Sequence, residues 1–296
     1  MLLQTRTSDR HRGGALRRAI GYVLVGILSV QFGAAVAKHL FDRVDPTAMV
    51  FLRLLTSAVV LIAIARPALR ARTRQDWVVV AGFGLALGLM NWSIYQAFAR
   101  IPLGIAVTIE FVGPLAIAVV GSRRARDLLW VALAGVGVVL LGFEPEGVTW
   151  SGALFALLAG ACWAAYILLS ASTGRRWPGL DGLAVASVVA TALLTLPALE
   201  AGGGDLLDPE VLALGAMVGL LSSVIPYSFE LAALRTLRPA VFGILMSLEP
   251  AAAALAAVIV LQEYLAPLQW VAMACVIAAS VGATRTGATY AEPAPD

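Results

Sequence analysis

Three glutamates stand in apolar surroundings that ordinarily exclude charge. Glu110 lies in GIAVTIEFVGP (104–114), inside an apolar run from Leu103 to Gly121, Glu249 sits in LMSLEP directly before Pro250, and Glu230 follows Pro226 in IPYSFE. A carboxylate in hydrocarbon is costly, so each of these must face a bundle interior, a water-filled cavity or a partner. In such a place it can bind a cation, a substrate ammonium group for example, or take up and release a proton. Glu110, Glu230 and Glu249 are the expected proton-coupling groups. Pro114 strengthens the case for Glu110, because a proline has no N–H for the carbonyl four residues back, here that of Glu110 itself. That position offers a carboxylate and a freed backbone oxygen together, which only protein or water can satisfy. Pro114, Pro226 and Pro250 are the expected helix kinks.

The elements that must hold these groups follow from composition. Of 296 residues, 60% are hydrophobic and 13% charged, and mean hydropathy is +0.88. A helix needs about 20 apolar residues to cross roughly 30 Å of hydrocarbon. Ten candidate spans occur, near 18–40, 47–65, 77–99, 103–121, 128–143, 151–171, 182–199, 210–234, 240–261 and 267–284. They leave no room for a separate soluble domain, so function must sit among the helices. The first span is too long for a signal peptide and is read as retained. Glu110 is then roughly 10 Å deep, at 1.5 Å of rise per residue.

Charge sets the expected orientation. Cytoplasmic loops carry the excess of Lys and Arg, and of 21 such residues 17 fall in the arm before the first span, at 66–74, 123–126, 175–176 and 235–238, and at Arg285. Only Lys38, Arg43 and Arg100 fall on the other side, and Arg53 lies within a span. Both termini are therefore expected in the cytoplasm, and the basic pI near 9.1 reflects topology, with no nucleic-acid partner.

The chain also repeats itself. WVALAGVGVVLLG (130–142) matches WVAMACVIAASVG (270–282) at six of 13 positions, and Pro114 and Pro250 are each followed by small residues. The expected fold is an all-α integral membrane protein of ten transmembrane helices in two five-helix repeats. The expected parts are a basic arm (1–17), a first repeat (18–145), a second (150–285) and a tail (286–296), with Glu144-Pro145-Glu146 at the boundary. Five is odd, so the second repeat must be inverted, which places a binding site near the midplane. The small-residue faces of the fifth and tenth helices could also meet a second copy, giving a homodimer.

Other polar residues are candidates for the same site. Gln31 and Lys38 share a face of the first span, and Asn91 and Tyr95, four apart, share a face of the third. Trp163, Tyr166 and Tyr227 lie deep enough to line a cavity, and Arg53 is expected to pair with a carboxylate. Trp77, Trp150 and Trp177 read as interface-belt residues. Chemistry of other kinds finds little support. The two histidines, His11 and His39, lie at or beyond span edges, Cys162 and Cys275 are inside spans, and no G-x-x-x-x-G-K-[ST] loop is present. No metal, cofactor, ATPase or enzyme activity is expected.

IPLGIAVTIEFVGPLAIAVVGSRR (101–124), GACWAAYILLS (160–170), IPYSFELAALRTL (225–237), FGILMSLEP (242–250) and LQEYL (261–265) resemble the drug/metabolite transporter superfamily, EamA branch, over roughly 18–285. The resemblance implies a secondary transporter of the bacterial inner membrane that exports small amino acids of the threonine and homoserine type. An amino acid would set its ammonium against Glu110 and its carboxylate against Lys38, Gln31 or Asn91, with Tyr95 or Tyr227 matching a side-chain hydroxyl. A neutral or ionised carboxyl at Glu110 could exchange an incoming proton for outgoing substrate. Export of another metabolite or drug, or an uncoupled facilitator, stays open.

Overall fold

The computed structural model describes residues 2–120, 127–141, 148–234, 236–237 and 239–288. The Glu144-Pro145-Glu146 boundary, Arg123, Arg124, Arg235 and Arg238, and the tail from 289 lie outside the described residues. Helices run in the order α1 (Leu2–His39), α2 (Pro46–Ala65), α3 (Arg74–Phe98), α4 (Leu103–Glu110), α5 (Val112–Val120), α6 (Asp127–Leu141), α7 (Trp150–Gly174), α8 (Asp181–Gly202), α9 (Pro209–Gly219), α10 (Ile225–Leu234), α11 (Pro239–Met246), α12 (Glu249–Ala256) and α13 (Pro267–Ala288). No strand occurs among the described residues.

Helix starts follow from local chemistry. Asp45 accepts from the Thr47 amide at 2.7 Å and Pro46 takes a first-turn position, where its missing N–H costs nothing. Asp208-Pro209 does the same for α9. Thr73 and Asp76 form a reciprocal capping box on α3, and Thr149 caps α7.

Among the described residues, eight stretches are long and apolar enough to cross a membrane, and two shorter apolar helical stretches, Leu103–Ile117 and Leu128–Leu141, accompany them. Large apolar side chains such as Val59, Val139 and Leu196 remain exposed on the outside of the bundle, as a lipid solvent allows. This is a multi-pass membrane protein.

Three of the spans read as continuous are interrupted. The fourth breaks at Phe111 between α4 and α5, and the ninth breaks at Ser247-Leu248 between α11 and α12. The eighth contains a π-helical turn, Leu220–Val224, ahead of Pro226, and a second π turn, Ala257–Leu261, follows α12. The contacts between halves exchange in pairs. Helix α1 packs on α10 as α3 packs on α7, α2 packs on α8, and α6 packs on α13. The small faces of α6 and α13 are spent on that last contact: a Cβ on Gly137 would stand 2.7 Å from the Ala272 oxygen. A Cβ on Gly135, on the same helix as Gly137, would meet nothing within 4 Å.

Packing is uneven along the bundle axis. The largest core cluster takes its residues from the helix halves near Lys38: Ala35 and Leu40, Met49 and Leu54, Tyr95 and Phe98, Ile105 and Ile109, Ala253 and Ala257. Toward Arg285 the core divides into three separate clusters, around Val23 and Ile27, around Phe83 and Trp177, and around Leu115 and Ala279.

Candidate functional site

The divided core leaves space. A cavity of about 480 Å³ is lined by Gln31, Arg53, Asn91, Glu110, Trp163, Tyr166, Tyr227, Glu230 and Glu249, together with Pro114, Pro226, Ser222, Ser280 and Thr284. Each of the three expected carboxylates is on its wall. Glu110 ends α4 and Glu249 begins α12, so the two broken helices each present a carboxylate at the break. Both residues are buried, and neither makes a side-chain hydrogen bond or ion pair among the described residues.

Two glycines make the break at Glu110 possible. A Cβ on Gly160 would stand 2.6 Å from the Glu110 carbonyl oxygen, and one on Gly113 would fall on the Gly160 carbonyl. Helix α7 therefore crosses the α4–α5 junction at backbone distance. That close approach covers the oxygen that Pro114 frees, and it brings Trp163, one turn along α7, edge-on to Phe111 at 5.4 Å.

Pro226 frees backbone on the opposite wall. It cannot donate to Ser222 four residues back, nor to Leu221 in the five-residue pattern of the π turn. Two side chains replace it. Arg53 Nη2 donates to the Ser222 carbonyl at 2.9 Å, with its Nε on Ser223 Oγ at 3.3 Å, and Ser29 Oγ donates to the Leu221 carbonyl at 2.7 Å. Arg53 was expected to meet a carboxylate; instead it meets a carbonyl, and no carboxylate of the protein lies within 4.0 Å of it among the described residues.

Two of the expected substrate ligands stand elsewhere. Lys38 is outside the cavity, held by Glu263 in an ion pair of 2.6 Å and donating to the Ile101 carbonyl at 2.8 Å. Glu263 also accepts from the Leu103 amide at 2.9 Å, so it closes the start of α4 and the end of α1 at once. Tyr95 is fully buried behind Arg53, its ring 5.6 Å from the guanidinium, 5.9 Å from Phe41 and 5.7 Å from Phe98. Asn91 does reach the cavity, with one amide hydrogen spent on the Leu87 carbonyl at 2.8 Å. Gln31 lines it and makes no side-chain hydrogen bond among the described residues.

Sequence reasoning missed Glu263, Ser29, Ser222, Gly113 and Gly160 as positioned groups. It also misplaced Trp177, which is 1% exposed and carries the Arg72 guanidinium 4.3 Å above its ring. Arg72 and Asp181, and Arg176 and Asp76, are paired beside it at 3.8 and 3.6 Å. Among the described residues no group of His, Cys, Asp and Glu is placed to hold a metal.

A bundle of apolar helices that encloses a polar cavity, with carboxyls and a guanidinium at helix breaks, is the build of a membrane transporter. The chain belongs to the EamA-like transporter family, whose model matches residues 17–143 and again 150–285. It is 41% identical over 283 residues to the threonine/homoserine exporter RhtA of Escherichia coli K12, covering 92% of this chain and 95% of that one. It is also 41% identical over 268 residues to RhtA of Salmonella typhimurium LT2, covering 89% and 90%. A solved crystal structure, 18% identical, superimposes with a TM-score of 0.63 over 92% of this chain and 99% of that chain, which supports the fold.

Proposed function

We propose that the chain is a secondary active exporter of small amino acids, threonine and homoserine among them, that works by proton antiport with alternating access. The observation that carries this reading is 41% identity, along 92% of the chain, to exporters of those two amino acids. The cavity supports it. A zwitterion needs an anionic and a cationic contact, and the wall offers Glu110 and Arg53, neither of which is in an ion pair within 4.0 Å among the described residues.

In this reading the two shorter apolar stretches also cross, giving ten helices in two inverted repeats, with the paired exchange of contacts as support. The cationic bias puts both termini in the cytoplasm of a bacterial inner membrane. The Lys38 end then faces outward and is closed, while the cavity lies toward the cytoplasmic half. Substrate enters from inside, the repeats rock, and the Lys38–Glu263 contact parts to release it. Proton uptake from outside at Glu110, Glu230 or Glu249 resets the cycle. No chemistry on the substrate is required, and the protein is not an enzyme.

The substrate class is tested in proteoliposomes loaded with labelled threonine. Unlabelled homoserine inside should compete for efflux, and a purine, a sugar or a cationic drug should not. Efflux that ignores homoserine, or the absence of any threonine efflux, would contradict the assignment.

A further inference from the structure

We infer that Arg53 is the receptor for the substrate carboxylate, and that its guanidinium restricts the cavity to solutes that carry one. This rests on the amino-acid reading above and sharpens it. Lys38, the cation expected for that task, is taken by Glu263, so Arg53 is the one cation among the described residues that line the cavity. It is 7% exposed. A guanidinium carries five N–H donors in a rigid fork. Two are used, on Ser223 Oγ and the Ser222 carbonyl, and the others meet no acceptor among the described residues. The fork matches a carboxylate with two parallel hydrogen bonds, which an ammonium group cannot do. The Tyr95 ring, 5.6 Å away, backs the cation.

The competing explanation is that Arg53 exists to satisfy the carbonyl orphaned by Pro226. The neighbouring carbonyl is an internal control. Leu221 is satisfied by the hydroxyl of Ser29, a neutral group with no charge to desolvate. Capping this stretch of backbone therefore does not call for a cation, and an unpaired buried cation is costly in lipid. Charge balance agrees. The wall holds the carboxyls of Glu110, Glu230 and Glu249 against one guanidinium, so a zwitterion bound with its carboxylate on Arg53 keeps its ammonium free for the acidic side.

The test is isothermal titration of the purified full chain with threonine and with threonine amide, which differ in the carboxylate alone. The wild type should bind the amide at least about 30-fold more weakly, since losing one partner of a buried charge pair has an effect of that order. In Arg53→Gln threonine should fall to the level of the amide, and Arg53→Lys should lie between, because it keeps charge and loses the fork. A double variant, Arg53→Gln with Pro226→Ala, returns an N–H within reach of the Ser222 carbonyl and so separates the two roles. It should remain as weak and as indifferent to the carboxylate as Arg53→Gln. Recovery of threonine binding in the double variant, or retained discrimination in Arg53→Gln, would overturn the assignment and leave Arg53 a backbone cap. A wild type that binds neither compound would overturn it together with the amino-acid reading, whereas a wild type that binds threonine isolates any failure to Arg53.

Discussion

The Lys38 end of the bundle and the cavity treat charge in opposite ways. Near Lys38 two ion pairs join the helices, Lys38 with Glu263 at 2.6 Å and Arg43 with Glu210 through two hydrogen bonds of 2.9 and 3.0 Å, and Glu263 also accepts from the Leu103 amide. In the cavity, Glu110, Glu230, Glu249 and Arg53 line one space and form no ion pair among the described residues. The Lys38 end is also where the apolar core is continuous, and the cavity lies where it divides. Paired charges close a structure, and unpaired ones wait for something that arrives from solution. The division of labour we propose follows: closure near Lys38, recognition and coupling among the glutamates.

Substitutions can break that division. The largest effect is expected for Glu110→Gln, which preserves shape and removes charge; gradient-driven export of threonine should fall by about 30-fold or more, the scale for one lost partner of a buried charge pair. Glu263→Gln should act differently. It leaves Lys38 partly buried without its anion and weakens the closure by about 2 kcal/mol, the scale of a hydrogen bond to a charged group. A cysteine at Leu103 should then react faster with a membrane-impermeant thiol reagent, and Lys38→Glu combined with Glu263→Lys should restore protection. Unchanged labelling in Glu263→Gln would remove the closing role.

Smaller effects sharpen the comparison. Gly160→Ala puts a methyl against the Glu110 carbonyl and should cost about 1–3 kcal/mol of stability, as overpacking does, read as a lower melting temperature in detergent. Glu249→Gln should reduce coupled export less than Glu110→Gln, and Glu230→Gln less again; equal losses at all three positions would show one shared proton site. Gly137→Cys puts its Cβ 2.7 Å from the Ala272 oxygen and carries an overpacking cost like that of Gly160→Ala. It lies outside the cavity lining, so transport should change least. Its Cβ would lie 3.2 Å from that of Cys275, so mild oxidation should give an intramolecular cross-link, and a disulfide-linked dimer would refute the intramolecular use of that face.

What could be read in the sequence depended on how far each signal had to reach. A glutamate in an apolar run is conspicuous, and Glu110, Glu230 and Glu249 all proved to share one cavity. Gln31, Asn91, Trp163, Tyr166 and Tyr227 joined them through helical spacing and depth. Lys38 did not, because sharing a face with Gln31 says nothing about height, and two turns further on the face meets Glu263. That glutamate sits in an irregular stretch after the π turn, where periodicity carries no information. Arg53 finds its acceptor 169 residues away, on a carbonyl that is free only because of Pro226. Gly113 and Gly160 were hidden by number, since the chain has 28 glycines and nothing local marks the two that let helices touch. The prolines announced the interruptions, but the breaks themselves fall ahead of them, where the orphaned carbonyls are.

The most direct measurement sets the two regions side by side. Vesicles containing equal amounts of wild type, Glu110→Gln or Glu263→Gln are loaded with labelled threonine, and efflux is followed with and without an imposed gradient, acid outside. The wild type and Glu263→Gln should both speed up when the gradient is applied, while Glu110→Gln should run at one rate in either condition. Full acceleration in Glu110→Gln, or its loss in Glu263→Gln alone, would contradict the assignment of coupling to the cavity.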